Sequence, residues 1–75
     1  MKDIKIYSCV KTTKDKKLDD KNNTIIKAGS TGLVVEIVNH KGTNYYVVEI
    51  NQKNRTTIIE DFLIDELEVI DYIPA

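Results

Sequence analysis

A single cysteine, a single proline, three glycines and no tryptophan leave this chain with few of the usual staples of a small protein. One thiol cannot close an internal disulfide. One thiol with one histidine cannot supply the common zinc sets. Arginine is almost missing too: ten of the eleven bases are lysine, and Arg55 stands alone. The arginine forks by which proteins read base edges are therefore absent. No apolar run reaches the length of a signal peptide or a membrane span, so the cytoplasm is the expected compartment. A net charge of −1 exerts no general pull on nucleic acid. A chain of 75 residues is one small domain, residues 1–75. It buries only ~60–65% of the surface its unfolded form exposes, which excludes a large cleft or a two-domain mechanism.

What is present is a period of two. In the segment Leu33 to Val38, Leu33, Val35 and Ile37 alternate with Val34, Glu36 and Val38. In Tyr45 to Ile50, Tyr46, Val48 and Ile50 alternate with Tyr45, Val47 and Glu49. Both stretches are rich in β-branched and aromatic residues and read as strands. Asn39 to Asn44 lies between them as a turn cluster, with Lys41-Gly42 its tight point. Setting Val38 opposite Tyr45 places Ile37 against Tyr46, Val35 against Val48 and Leu33 against Ile50, an all-apolar inner face. A second turn over Asn51–Asn54 pairs Asn51 with Arg55 and continues the inner face through Thr56 and Ile58. Phe62 and Ile64 point inward, Asp65-Glu66-Leu67 forms a single turn, and Glu68-Val69-Ile70 is a last short strand. At the front, Ile4 to Val10 reads as the first strand. Lys11 to Asn23 reads as a long surface loop, with Leu18 its one apolar anchor.

Five short strands with a long first loop and tight later hairpins describe an all-β domain, a small five-stranded SH3-like barrel. Closure suits so short a chain because free strand edges invite association. The competing reading is an open antiparallel sheet with a terminal helix over residues 60–70, where Leu63, Leu67 and Ile70 fall at helical spacing. The stretches AGSTGLVVEIV, YYVVEI, NQKNRTT and IDELEVI together resemble a family of small bacterial SH3-like-barrel domains of unknown function. The shared pattern is a Gly-x-x-Gly turn, a Val-Val-Glu strand, a Val-Glu strand, a tight hairpin and a short Leu-containing last strand. The resemblance runs from about Ile6 to Ile70, with Asn54 where that family usually has glycine. It implies a domain that often stands alone, near toxin and mobile-element genes, and related barrels that bind RNA or protein.

Chemistry-bearing residues are sparse. His40 falls at a hairpin tip, where a general base has neither an orienting partner nor a pocket. Cys9 reads as a small buried hydrophobe. Ser30-Thr31-Gly32 lacks the lysine of a phosphate loop. No cofactor or metal site is expected, and the chain is not expected to be an enzyme. Charge, however, is unevenly placed. Residues 1–27 carry a net +4, while residues 56–75 carry six carboxylates and no base. The acidic ending has no base of its own to offset self-repulsion. It reads either as a solvated rim that discourages edge pairing or as a docking face for a basic partner, through Glu60, Asp61, Asp65 and Glu66 with Tyr45 and Tyr72 as aromatic anchors. The expected function is a non-enzymatic binding protein that occludes a basic protein, such as a toxin or a nucleic-acid-processing enzyme. The alternative is a small RNA- or DNA-binding barrel using the Lys11–Lys21 loop.

Overall fold

A computed structural model describes residues 4–51 and 56–72, and the side chains of all of these except Asp71 and Tyr72. The chain is all-β. Its strands are β1 (Ser8–Thr12), β2 (Lys16–Lys17), β3 (Ile25–Ile26), β4 (Thr31–His40), β5 (Thr43–Asn51), β6 (Thr57–Phe62) and β7 (Leu67–Tyr72). A single 3-10 turn, Ile64–Glu66, separates β6 from β7. The five longer strands form one antiparallel sheet in the order β6-β5-β4-β1-β7, and β2 and β3 form a small second sheet. Among the described residues, no helix is long and apolar enough to cross a membrane. The terminal helix weighed for residues 60–70 is replaced by strand, 3-10 turn and strand.

The β4–β5 hairpin follows the expected pairing at its tip. His40 pairs with Thr43 across Lys41 and Gly42, whose φ values of 52° and 84° make the two-residue turn with positive φ at both positions that a right-twisted hairpin favours. Val38 faces Tyr45, Ile37 faces Tyr46 and Glu36 faces Val47. The register then shifts. A bulge at Val35 sets Val34, not Val35, against Val48, and Leu33 against Glu49 rather than Ile50. The extra residue reverses the inside–outside alternation below it. Val34 is therefore completely buried and Val35 only half-buried. β4 lies between two partners, β5 from Leu33 to His40 and β1 through Leu33, Gly32 and Thr31.

Gly32 occupies an inward position with no space for a side chain. A Cβ there would meet the Glu49 carbonyl oxygen and the Val48 Cγ1 at 2.7 Å, and the Ile50 Cγ1 at 2.9 Å. Val10, Val34, Tyr46, Val48, Ile50, Phe62 and Leu67 form the centre of the core, joined by Ile4 from the start of the chain and Ile26 from β3. Leu18 packs against this cluster, as the anchor of its loop was expected to.

Three local features depart from the sequence reading. β1 starts at Ser8, because a turn from Lys5 to Ser8 interrupts the expected Ile4–Val10 strand. In that turn Ser8 N–H donates to the Lys5 carbonyl at 3.0 Å, and Tyr7 takes a φ of 72°. The Lys11–Asn23 loop contains the last residues of β1 and the strand β2, which pairs with β3. Its tip is tied by Asp20, whose carboxylate accepts from Thr24 N–H at 2.9 Å and Thr24 Oγ1 at 2.7 Å. The β5–β6 pairing sets Asn51 against Thr57 and Ile50 against Ile58. That is two residues later than the expected Asn51–Arg55 pair. Parity is preserved, so Ile58 and Phe62 keep the inner face. Thr56 is exposed, and Arg55 lies outside the described residues. Ile64, expected inside, is 41% exposed, and Leu67 takes the core position after the turn.

Buried side-chain polar atoms all have hydrogen-bond partners among the described residues. Ser8 Oγ accepts the Lys5 N–H at 2.9 Å. Thr12 Oγ1 donates to the Lys27 carbonyl at 3.0 Å and accepts Ser30 N–H at 3.1 Å, which fastens β1 to the turn leading into β4.

Candidate functional site

The residues expected to bind a partner are scattered over several surroundings rather than gathered on one face. Two of them meet. Tyr45 and Val47 lie on the outward face of β5, since Tyr46 and Val48 are buried. Val38 pairs with Tyr45, and Asp61 pairs with Val47 from the neighbouring strand. Alternation therefore delivers Val38, His40, Tyr45 and Asp61 to one face. They line a shallow hollow of about 300 Å³ at the hairpin end. Tyr45 is half-buried, and Asp61 and His40 are exposed. Sequence reasoning placed His40 at an exposed tip, which it is, but missed that it shares a wall with Tyr45 and Asp61. Val38 was within reach, because the expected pairing already set it opposite Tyr45.

Asp65 lies on the 3-10 turn and borders a second hollow of about 400 Å³ with Leu63, Ile64 and the β4–β5 turn residues Gly42 to Asn44. The segment Asp61 to Asp65 thus separates the two hollows, with Asp61 on one and Leu63 to Asp65 on the other. Leu63 and Ile64 are 39% and 41% exposed, so this part of the surface is apolar as well as acidic.

Glu66 does a different job. Its Oε1 accepts the Leu63 N–H at 2.8 Å, closing the 3-10 turn, and lies 3.6 Å from the Lys16 ammonium. Lys16 also donates to the Asp61 carbonyl and sits 4.5 Å from the centroid of the Phe62 ring. The acidic ending therefore does receive a base, carried to it by β2 from the lysine-rich loop. This corrects the expectation of an unneutralised run. The sequence carried no signal for it, because the contact joins residues 45 to 50 positions apart. Glu60 faces the same side as Ile58 and Phe62, opposite Val48, and is half-buried. Tyr72 pairs through its backbone with Ser8 at the other end of the strand order from β6, and its side chain lies outside the described residues.

Cys9 is half-buried rather than fully buried, on the outer face beside Leu33 and Ile70 in a further hollow of about 420 Å³. Among the described residues, no group of three or more His, Cys, Asp or Glu side chains converges where a metal ion could sit. Among the described residues one carboxyl is perturbed. Asp20 is held below its ordinary value of 3.8, first by the Thr24 hydroxyl and then by the Thr24 backbone N–H, both of which favour the charged form. It lies on the tip of the first loop, away from the hollows described above. Comparisons with protein-family models, curated proteins and solved structures found no match to this chain.

Proposed function

We propose that this chain is a non-enzymatic binding protein that occludes a basic protein partner, in the manner of a toxin-immunity protein or a phage-encoded inhibitor, and that it acts in the cytoplasm. The observation that carries the reading is the surface around Asp61–Asp65. Here Asp61 and Asp65 border hollows whose other walls include Tyr45, Val38 and His40 on one side and Leu63 and Ile64 on the other. Among the described residues no ion pair engages these two carboxylates, whereas Glu66 is occupied by Lys16. Apolar contact area beside free negative charge suits a protein partner with a basic face. The apolar part holds the complex and the charge steers encounter.

An SH3-like barrel is the finer fold we infer. Its support is the order β6-β5-β4-β1-β7, in which the last strand returns to pair with the first after a long first connection. The 3-10 turn before β7 and the Lys16 bridge from β2 to the end of β6 add to it. Membership of the small bacterial barrel family rests on the quoted sequence motifs. The other functional reading, a nucleic-acid-binding barrel, has weaker support. Lys16, at the centre of the lysine-rich loop, is turned to the acidic segment.

The test is affinity capture from host cells followed by mass spectrometry and binding kinetics. The expected result is one stoichiometric basic protein whose on-rate falls with added salt, because steering is screened beyond ~8–10 Å at physiological ionic strength. Asp61→Asn with Asp65→Asn should slow association and flatten that salt dependence. Recovery of no stoichiometric protein, or salt-dependent binding of mixed oligonucleotides instead, would overturn the reading.

A further inference from the structure

Within the binding reading above, on which this inference rests, the two hollows differ in chemistry. The one on the outer face has an aromatic wall, an aliphatic wall and a carboxylate, from Tyr45, Val38 and Asp61, with the His40 imidazole at its rim. The chain itself shows what such a set holds. On the other side of the same strand, Lys16 places its ammonium 4.5 Å from the Phe62 ring centroid and 3.6 Å from the Glu66 carboxylate. There an aromatic face and a carboxylate, with the Asp61 backbone carbonyl, hold a cationic side chain. Tyr45 with Asp61 repeats that combination on the outward face. Among the described residues no lysine or arginine lines the hollow, and no ion pair engages Asp61.

We propose that this hollow is the receptor for a single arginine side chain presented by the basic partner. The guanidinium would stack against the Tyr45 ring while its N–H groups donate to the Asp61 carboxylate, and its aliphatic stem would lie along Val38. Arginine is preferred to lysine because a planar, weakly hydrated guanidinium both stacks on an aromatic ring and pairs with a carboxylate through two parallel hydrogen bonds. A volume of about 300 Å³ is ample for an arginine side chain. The hollow thus determines which residue of the partner is anchored, and the rest of the acidic surface determines how fast it arrives.

The experiment is a titration of the isotope-labelled full chain, followed by amide and ring chemical shifts. The probes are N-acetyl-argininamide, its neutral isostere N-acetyl-citrullinamide, N-acetyl-lysinamide and a deca-arginine peptide. The expected result is saturable shifts at Val38, Tyr45 and Asp61 with the arginine probe, weaker ones with the lysine probe and none with citrulline. Asp61→Asn and Tyr45→Leu should each weaken the arginine probe by about three- to five-fold. Both positions face outward, so both variants keep the fold, and the unperturbed shifts of core amides check this. Equal binding of citrulline, or a lysine probe that binds more tightly, would overturn the arginine assignment. If deca-arginine binds wild type and both variants alike, with shifts spread over Leu63 to Asp65, the hollow is not the receptor but the acidic docking surface stands. If neither the arginine probe nor deca-arginine binds, both readings fall.

Discussion

Replacing Gly32 by alanine tests the packing on which the whole sheet depends. Gly32 lies where β4 passes from one partner to the other, and its backbone runs directly against β5. The added methyl would sit 2.7 Å from the Glu49 carbonyl oxygen and from the Val48 Cγ1, about 0.7 Å inside ordinary contact. Val48 is fully buried and Glu49 contributes backbone, so neither can swing aside as an exposed side chain would. Relief requires β4 and β5 to separate locally, which stretches ladder hydrogen bonds and loosens Val34 against Val48. Overpacking of this kind costs ~1–3 kcal/mol, and a contact with backbone belongs near the upper end. A chain of this length has a total stability of only ~4–11 kcal/mol. At ~4–8 °C per kcal/mol, the midpoint of thermal unfolding should fall by roughly 10–20 °C. The assay is circular dichroism on heating, with urea titration to confirm that the midpoint moves and the slope does not. Gly42→Ala is the reference. Its φ of 84° makes alanine unfavourable, but nothing lies within 4 Å of its added Cβ. It should cost only ~1–2 kcal/mol of conformational strain. In the Gly32→Ala background, Val48→Ala removes one of the three short contacts, so the pair should be less destabilised than the two single changes combined. A loss no larger than that of Gly42→Ala, or strict additivity with Val48→Ala, would refute the close-approach argument.

The bulge makes a separate claim: Val34→Asp should unfold the chain by burying an unpaired charge, whereas Val35→Asp should leave it folded with a smaller loss, as read by one-dimensional proton spectra. Lys16→Met keeps the aliphatic stem over Phe62 but removes the ammonium from Glu66 and the Asp61 carbonyl. Chemical denaturation should show a loss of ~0.5–1.5 kcal/mol, and Lys16→Asp a larger one, since it adds a like charge beside Glu66. Glu66→Ala should cost about 1 kcal/mol by the same measurement, because the Leu63 N–H loses its acceptor and the 3-10 turn its closure. Asp20, whose folded value lies below the unfolded one, holds the first loop at neutral pH. That contribution is present above the unfolded value and disappears as the pH falls through the folded one. The Thr24 amide should therefore lose its hydrogen-bonded shift only below about pH 4, and a carboxyl titration should give Asp20 a midpoint below 3.8.

Much of the β architecture could be read from residue order alone, because alternation and turn chemistry are local. Tyr46, Val48 and Ile50 alternate cleanly and are buried, Lys41-Gly42 makes the hairpin turn, and Asp65-Glu66 fall in a single turn before the last strand. The candidate site was legible to the same extent. Tyr45 and Asp61 share a face because period two puts them there once their strands are adjacent.

Tertiary structure decided the rest. A bulge leaves no mark in a run such as Leu33-Val34-Val35, where either register offers apolar side chains. The register in which β4 fits between β1 and β5 puts Val34 in the core. In the same way, nothing in a lysine's own neighbourhood reveals a carboxylate 50 positions away. Lys16 meets Glu66 because the small β2–β3 sheet folds back over the end of β6. Local steric and hydrogen-bonding preferences act over a few residues and are written in the order of the chain. Register shifts, close backbone approaches and long-range charge pairs are settled by how whole strands fit together, so they become visible only in the folded molecule.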